Sequence, residues 1–380
     1  MSTTLAMRKI EMVDLKAQYQ KIKTEIDYSI QEVVDSAAFI GGKPIQDFAR
    51  EFENYLGVKH VIPCANGTDA LQIAMMALDL QPGDEVICPS FTYFATVEVI
   101  ALLKLSPVFI DVNSQTFNIE ASEVEKAITS KTKAIVPVHL YGQSCDMESL
   151  IALGKKHHIP IIEDNAQATG GEYKFSNGEV KKTGTMTEVG TTSFFPSKNL
   201  GCYGDGGALM TNDDAFAEKL KMIANHGQRT RYYHDLIGVN SRLDTIQAAI
   251  LRVKLKHLDE YISARRNAAD FYDRAFSNHP KIKTPFRSVN VKHVFHQYTL
   301  IVEEKRNELV EFLKQKNIPA MIYYPVLCHA QKAFEGKGRI SGDLKNSFWL
   351  SDRVVSLPMH TELDDEQLNY ITESVLDFYS

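Results

Sequence analysis

Several residue patterns that would define a function are absent from this sequence of 380 residues. It has only five cysteines, an odd number, and no C-x-x-C pair occurs among them. Their wide spacing argues against a disulfide framework and against a structural zinc site. His157 and His158 are adjacent, which does not place two ligands on one face of a helix, so no metal site is expected. These features predict a protein of a reducing cytoplasm.

The sequence also has no excess of positive charge. The formal net charge is -6 and charged residues of both signs are interspersed, so the basic face of a nucleic-acid binder is not expected. The first twenty residues contain no apolar run long enough for a signal peptide or a membrane span. Hydrophobic residues make up 44% of the chain, which is typical of an ordinary globular protein. We therefore expect neither nucleic acid nor a membrane as a partner.

Short apolar segments alternate with amphipathic segments through the first two-thirds of the chain. The predicted strands cover residues 60–64, 85–88, 107–112, 134–138 and 159–163. The predicted helices cover residues 68–80, 92–105, 120–128 and 147–157. This alternation is typical of an α/β fold in which helices cover both faces of a mostly parallel sheet. Active sites in such folds lie at the carboxyl ends of the strands.

The pattern changes at Asp244. From there, apolar residues recur at helical spacing as far as Ile262, with charges on the opposite face, which predicts a connecting helix. Beyond it, predicted strands at 296–302 and 320–324 flank a helix at 306–316. We predict a large domain at residues 1–243, with an N-terminal helix that can pack on the small domain. The connecting helix and a small α+β domain would then occupy residues 244–380.

A lysine and an aspartate are the residues most suggestive of chemistry. Asp164 closes an apolar strand, and Lys198 follows another apolar strand just before a glycine-rich turn. A lysine in a buried cleft is costly as an ammonium, so its pKa should fall and its amine become a nucleophile. A neighbouring acid can pair with the ring nitrogen of pyridoxal phosphate. The structural alternative is that Asp164 caps a helix and Lys198 is a solvated loop residue.

An anion site is predicted where a strand meets a helix at residues 65–68. Backbone N–H groups at a helix start attract phosphate, Gly67 permits close approach, and the hydroxyl of Thr68 can donate. Ser193 could add a donor from the strand before the lysine. A simple helix cap explains the same residues without a ligand. Tyr93, which follows the next strand, could stack on a flat cofactor or pack in the core.

Seven motifs in this chain resemble those of the DegT/StrS-type nucleotide-sugar aminotransferases, which belong to the fold-type I pyridoxal-phosphate enzymes. The resemblance runs from about residue 12 to residue 378. It rests on Ala65-Asn-Gly-Thr-Asp-Ala70, Pro89-Ser-Phe-Thr-Tyr93, Pro137-Val-His-Leu-Tyr-Gly142, Glu163-Asp-Asn-Ala-Gln167, Ser193-Phe-Phe-Pro-Ser-Lys-Asn199, Gly204-Asp-Gly-Gly207 and Gly238-Val-Asn-Ser-Arg242. The resemblance implies an α/β fold with a mostly parallel sheet between helices, a small C-terminal α+β domain, and pyridoxal 5'-phosphate as cofactor.

The resemblance also implies roles for individual residues. Lys198 would hold the cofactor covalently and move the proton, and Asp164 would face the pyridine nitrogen. The other cofactor contacts implied are Gln167 to the ring hydroxyl, Tyr93 on the ring, Gly67, Thr68 and Ser193 at the phosphate, and Asn240 from a neighbouring subunit. The implied substrate contacts are Arg229, Arg231, Arg242 and Tyr324. Active sites of this kind are shared within a homodimer.

Within the family, the similarity is greatest to enzymes that aminate a UDP-linked 3-keto uronic acid, with glutamate as the usual amino donor. The implied function is transamination of a UDP-2-acetamido-3-keto sugar or uronic acid for a cell-surface polysaccharide such as a lipopolysaccharide O-antigen. Those enzymes carry His-Tyr-Pro where this chain has Tyr323-Tyr324-Pro325. A dTDP-linked 3- or 4-keto-6-deoxyhexose is therefore an alternative substrate.

Three rival functions are weaker predictions. A non-catalytic cofactor-binding regulator would be expected to lack Lys198 or Asp164, and a related sugar dehydratase has histidine in place of that lysine. The glycines at 201–207 do not form the G-x-G-x-x-G of a nucleotide-dependent oxidoreductase.

Overall fold

The computed structural model describes residues 8–380, and strands alternate with helices over most of the first part of the chain. The helices are α1 (Leu15–Ser36), α2 (Lys43–Leu56), α3 (Gly67–Ala77), α4 (Ala95–Leu102), α5 (Ala121–Ala127), α6 (Met147–His157), α7 (Asp214–Ala224), α8 (Thr245–Lys256), α9 (Leu258–Phe276), α10 (Arg306–Gln315), α11 (Lys345–Ser351) and α12 (Asp365–Tyr379). The strands are β1 (His60–Cys64), β2 (Glu85–Pro89), β3 (Ser106–Ile110), β4 (Thr132–Ile135), β5 (Ile162–Asp164), β6 (Glu172–Lys174), β7 (Val180–Lys182), β8 (Val189–Ser193), β9 (Gly207–Thr211), β10 (Gln228–Thr230), β11 (Tyr233–His234), β12 (Ile282–Lys283), β13 (Val291–Lys292), β14 (Tyr298–Val302), β15 (Arg339–Ile340) and β16 (Val354–Leu357).

A central sheet of order β15-β3-β2-β4-β5-β8-β9-β1 forms the framework of the protein. Its two halves, β15-β3-β2-β4 and β5-β8-β9-β1, join through parallel bridges from Ile135 to Ile161 and from Val138 to Asp164. Strand β9 is antiparallel to both of its neighbours, and the other strands run parallel to one another. The predicted α/β class with a mostly parallel sheet is confirmed.

Helix α3 shows why the sequence pattern of this region was informative. Its sequence is apolar on nearly all sides, and Ala70, Leu71, Ile73, Ala74, Met75 and Ala77 are buried. A helix that is apolar all round must be enclosed. It packs against strands β8 and β9, so its N-terminus lies beside the ends of the strands that carry the candidate site.

A second, antiparallel sheet of order β12-β14-β16 lies in the C-terminal part. Helices α9, α10 and α12 enclose it, and their apolar side chains form a separate core that includes Tyr272, Tyr298 and Leu309. Helix α1 packs on α8 through Ile22, Ile26, Ile250 and Val253. The division between residues 243 and 244 stays a prediction, since the short strands β13 and β15 pair with strands of the first part.

Two elements of the C-terminal part differ from the sequence prediction. The periodic segment after Asp244 forms two helices, α8 and α9, that meet at His257, because α8 packs on α1 and α2 whereas α9 packs on α12. The predicted strand at residues 320–324 is wrong. Only Met321 bridges Ser356 there, and the carbonyl of Tyr323 instead accepts a hydrogen bond from the Tyr141 hydroxyl.

Among residues 8–380, none of the helices has both the length and the apolar composition of a membrane span.

Candidate active site

A cavity of about 590 Å³ lies at the carboxyl ends of the parallel strands. It is lined by Asn66, Gly67, Thr68, Asp69, Leu71, Thr92, Tyr93, Ala95, Thr96, Val138, Asp164, Ala166, Gln167, Ser193, Phe195, Ser197, Lys198, Asp205, His296, Gln297, Tyr323 and Tyr324. Most of the residues predicted to form the site are among these. A cavity of this size suits a small organic cofactor or substrate.

Lys198 lies in the loop that follows strand β8. Its amine makes no hydrogen bond and no ion pair with the part of the chain that the structure describes. Burial lowers its pKa to about 8, against an opposing influence of the nearby Asp164 carboxylate. Since an ammonium is poorly solvated there, more of the amine is uncharged near neutral pH than for a solvated lysine. An uncharged primary amine in a cavity is the nucleophile that a carbonyl compound requires.

Asp164 ends strand β5 and lines the same cavity, with only 4% of its surface exposed. The hydroxyl of Thr96 donates to its Oδ2 at 2.7 Å, and the backbone N–H of Ala166 donates to its Oδ1 at 3.1 Å. Both donors hold the carboxylate in one orientation. Asp164 at the end of β5 and Lys198 in the loop after β8 therefore line one cavity.

The N-terminus of helix α3 forms another wall of the cavity. Asn66 caps this helix, because its Oδ1 accepts a hydrogen bond from the backbone N–H of Asp69 at 2.8 Å. Gly67 and Thr68 follow in the first turn, and Ser193 lies against Gly67 so closely that an added Cβ would meet its Cβ at 2.7 Å. The cap does not exclude the predicted anion site, because the turn that it orders lines the cavity. The anion site itself stays a prediction.

Gln167 and Tyr93 also line the cavity. The Oε1 atom of Gln167 accepts from the backbone N–H of Tyr141 at 2.7 Å, and its Nε2 donates to the Tyr324 hydroxyl at 3.0 Å. Its amide plane is therefore set by protein contacts on both sides. The Tyr93 ring is 59% exposed and lies 6.2 Å from the Tyr324 ring, so one of its faces is open.

The remaining predicted residues do not line the cavity within the single chain. Asn240, Arg229, Arg231 and Arg242 are all exposed. Arg229 pairs with Asp235 at 3.0 Å, and the Arg231 guanidinium lies over the Tyr232 ring. The predicted contacts of these four residues with a ligand stay predictions.

Three buried polar residues at the cavity were not anticipated from the sequence. Thr96 holds Asp164, the Thr92 hydroxyl has no partner within residues 8–380, and His296 lines the wall beside Lys198. Threonine in the apolar segment Ala95–Leu102 was the available signal for Thr96, since a buried hydroxyl needs a hydrogen-bond partner. No local pattern distinguishes His296.

The donor set suits pyridoxal phosphate. The lysine amine, the paired carboxylate and the helix N-terminus are the groups that such a cofactor requires at its aldehyde, its ring nitrogen and its phosphate. The hydroxyl of Thr92 is a further donor that has no acceptor among residues 8–380. The fold and the site thus define an α/β enzyme of the pyridoxal-phosphate-dependent aminotransferase class.

The chain belongs to the DegT/DnrJ/EryC1/StrS aminotransferase family, whose family model matches residues 20–376. A "Pleiotropic regulatory protein" of Geobacillus stearothermophilus is 45% identical over 97% of this chain and 98% of its own length. The UDP-2-acetamido-2-deoxy-3-oxo-D-glucuronate aminotransferase of Pseudomonas aeruginosa is 44% identical over 95% of this chain and 98% of its own. The resemblance stated from the motifs is confirmed.

Solved structures agree with the fold and the cofactor. Streptomyces venezuelae DesV in complex with a ketimine intermediate superposes with a TM-score of 0.93 at 36% identity, covering 98% of this chain and 99% of its own. NtdA of Bacillus subtilis with bound cofactor PMP superposes with a TM-score of 0.90 at 28% identity, covering 99% of this chain and 86% of its own. The protein is a pyridoxal-phosphate-dependent aminotransferase.

Proposed function

We propose that the protein transfers the amino group of L-glutamate to the ketone of a UDP-linked 2-acetamido-3-keto sugar or its uronic acid. The observation that carries this proposal is that Lys198 and Asp164 face one cavity, and that no side chain of residues 8–380 forms a hydrogen bond or an ion pair with the lysine amine. The substrate acted on by the Pseudomonas aeruginosa relative, 44% identical over nearly the whole chain, supports the choice of sugar.

Pyridoxal phosphate, when bound, supplies an aldehyde that captures amines and a ring that stores the electrons of a broken C–H bond. Lys198 would hold it covalently, and Asp164 would hold a proton on the ring nitrogen. Gly67, Thr68 and Ser193 would bind the phosphate, Tyr93 would cover one face of the ring, and Gln167 would contact the ring hydroxyl. Asn240 would reach the phosphate from a second copy of the chain.

Lys198 would also move the proton. When it is not bonded to the cofactor, its amine would be a base beside the reacting carbon. A pKa of about 8 suits this role, because the free amine can accept a proton and the ammonium can return it near neutral pH. A positioned general acid–base of this kind contributes roughly 10²–10⁴-fold to the rate.

A homodimer with shared active sites would account for three exposed arginines. Arg229, Arg231 and Arg242 lie outside the cavity of their own chain. A sugar nucleotide carries a diphosphate, and guanidinium groups bind phosphates through paired hydrogen bonds. In the proposed dimer these arginines would contact the nucleotide or sugar at the partner's cavity, while Tyr324 would contact the sugar from its own chain.

A dTDP-linked 3- or 4-keto-6-deoxyhexose is the second candidate substrate. Tyr323 lines the cavity in the position where UDP-uronic acid aminotransferases resembling this chain carry histidine. A phenol can donate a single hydrogen bond but cannot carry the positive charge that would favour a sugar carboxylate. This substitution favours a sugar without that carboxylate.

A regulatory role would fit the name of the Geobacillus stearothermophilus relative. The retained pair of Lys198 and Asp164 supports turnover instead, because a protein that only binds the cofactor has no use for a free amine as proton carrier. We place the reaction in the cytoplasm, in the synthesis of a cell-surface polysaccharide such as an O-antigen.

The direct test supplies the holoenzyme with L-glutamate and a panel of UDP- and dTDP-linked keto sugars. We expect glutamate alone to release at most one equivalent of 2-oxoglutarate per active site, and continued release only when an accepted keto sugar is present. The preferred sugar identifies the substrate. Lys198→Ala should lose the visible absorbance of the lysine-bound cofactor together with turnover. Normal turnover by this variant would exclude the proposed mechanism.

A further inference from the structure

The loop of residues 293–297 is fastened tightly beside the lysine. The backbone N–H of Val294 donates to the carbonyl of Gly142 at 2.9 Å, and the side chain of Asn199, next to Lys198, donates to the carbonyl of Val294 at 3.0 Å. A Cβ added to Gly142 would lie 2.9 Å from the backbone nitrogen of His296. These contacts on both sides fix the position of the loop relative to the amine.

His296 presents an imidazole to the cavity from this loop. The residue is 5% exposed, and neither ring nitrogen has a hydrogen-bond partner among residues 8–380. The Nδ1 atom is shielded from solvent, whereas Nε2 keeps some access to it. Burial and the charges of Lys198 and Arg265 hold the pKa of His296 well below its usual range, so the ring is neutral.

A neutral imidazole carries one N–H, and its position follows from the surroundings. Burying an N–H group without an acceptor costs more free energy than burying a nitrogen lone pair without a donor, because the N–H group loses its hydrogen bond to water. The proton therefore lies on Nε2, and the loop offers a hydrogen-bond donor to a ligand in the cavity.

Arg265 adds positive charge behind this donor. Its guanidinium is buried and donates to the carbonyls of Phe295, His296 and Met359 at 3.2, 3.3 and 2.8 Å. No carboxylate pairs with it within residues 8–380, so its charge is not cancelled. The acidic side chains of the cavity, Asp69, Asp164 and Asp205, would repel an incoming anion.

We propose that Nε2–H of His296 binds the α-carboxylate of the amino donor, with Arg265 favouring the anion from behind. This inference rests on the proposed function. The carboxylate of glutamate is attached to the carbon that reacts, so it must lie beside Lys198, where His296 lies. The sugar has no anion at its reacting carbon and gains less from this subsite.

The two amino compounds of the reaction can be compared on one enzyme form. The lysine-bound holoenzyme is mixed in single-turnover experiments with L-glutamate or with UDP-2-acetamido-3-amino-2,3-dideoxy-D-glucose, and loss of the visible band gives kcat/KM for each. In His296→Leu, we expect the value for glutamate to fall about 10- to 100-fold more than the value for the amino sugar, the range for one hydrogen bond to a charged group. His296→Gln, which places an amide donor near the Nε2 position, should restore most of the difference.

His360 provides a matched control. It is 2% exposed and its Nε2 also lacks a hydrogen-bond partner among residues 8–380, but it does not line the cavity. His360→Leu should affect both amino compounds equally. An equal loss for both compounds in His296→Leu, or no loss, would overturn the inference. If the wild-type enzyme reacted with neither compound, the proposed function would be wrong and the inference would fall with it.

Discussion

The hydrogen bond from Thr96 to Asp164 is the contact whose removal has the most predictable effect. Both residues are buried, at 1% and 4% exposure, and the Thr96 hydroxyl donates to Oδ2 at 2.7 Å. Thr96→Val replaces the hydroxyl by a methyl group of similar size, which leaves one carboxylate oxygen without a partner. Losing a hydrogen bond to a charged buried group costs roughly 1.5–3 kcal/mol, so we expect the free energy of unfolding to fall by that amount.

The same change should slow catalysis, because among residues 8–380 the backbone N–H of Ala166 would then be the one donor left to orient Asp164. If Asp164 stabilises the protonated ring nitrogen by a comparably smaller free energy, the rate of the glutamate half-reaction should fall about 10- to 100-fold, since about 1.4 kcal/mol corresponds to a tenfold change in rate. Urea denaturation of the apoprotein measures the first effect and single-turnover absorbance the second.

Thr96→Ser is the control for both measurements. It keeps the hydroxyl and loses one methyl group, worth about 0.8 kcal/mol. We expect it to retain near-normal turnover and most of the stability. If Thr96→Val and Thr96→Ser behaved alike, the hydrogen bond would have no energetic role and the reasoning would be refuted.

Three further predictions concern Lys254, Lys198 and Gly67. Lys254 is 1% exposed, has no hydrogen bond or ion pair within residues 8–380, and burial lowers its pKa from 10.5 to about 8. Below pH 8 the folded state must therefore hold a buried ammonium, so Lys254→Met should stabilise the protein by about 2–3 kcal/mol in urea denaturation at pH 7. That gain should shrink as pH rises towards 10.5; a gain independent of pH would contradict the assignment. Burial also lowers the pKa of Lys198 to about 8. The rate of pyridoxal phosphate uptake by the apoprotein, measured by stopped-flow absorbance, should therefore fall about tenfold per pH unit below pH 8. An inflection of this rate near pH 10.5 would show that the amine is solvated. Gly67→Ala would place a Cβ 2.7 Å from that of Ser193, which would shift the start of helix α3. We expect cofactor binding to weaken by about 1–3 kcal/mol in titrations of the apoprotein. Unchanged affinity would exclude a phosphate site there.

The sequence pattern predicted much of the first part of the fold because those elements are governed by local periodicity. Strand β1 and helix α6 have the predicted bounds, His60–Cys64 and Met147–His157. Helix α6 illustrates the reason, since Asp146 caps its start and His158 takes a left-handed conformation at its end. Caps and apolar stripes act within a few residues and are readable from sequence.

The C-terminal part was predicted less well because its structure depends on contacts between distant segments. Residues 320–324 have the composition of a strand, yet Tyr323 and Tyr324 line the cavity and only Met321 pairs with β16. The segment after Asp244 has a continuous helical period, but the helix is interrupted at His257 because its two halves pack on different neighbours.

The sequence alone was enough to predict the α/β class, the family and the cofactor, and to predict that Lys198 and Asp164 contact this cofactor. Each of these depends on short motifs or on local periodicity, which a single chain displays in order. Tertiary structure alone decided that Thr96 orients Asp164, that His296 faces the cavity with an unpaired ring, and that Arg265 lies behind it without a carboxylate. The hydrogen bonds of Thr96 to Asp164 and of Arg265 to Met359 join residues 68 and 94 positions apart, and no local pattern records which residues will meet.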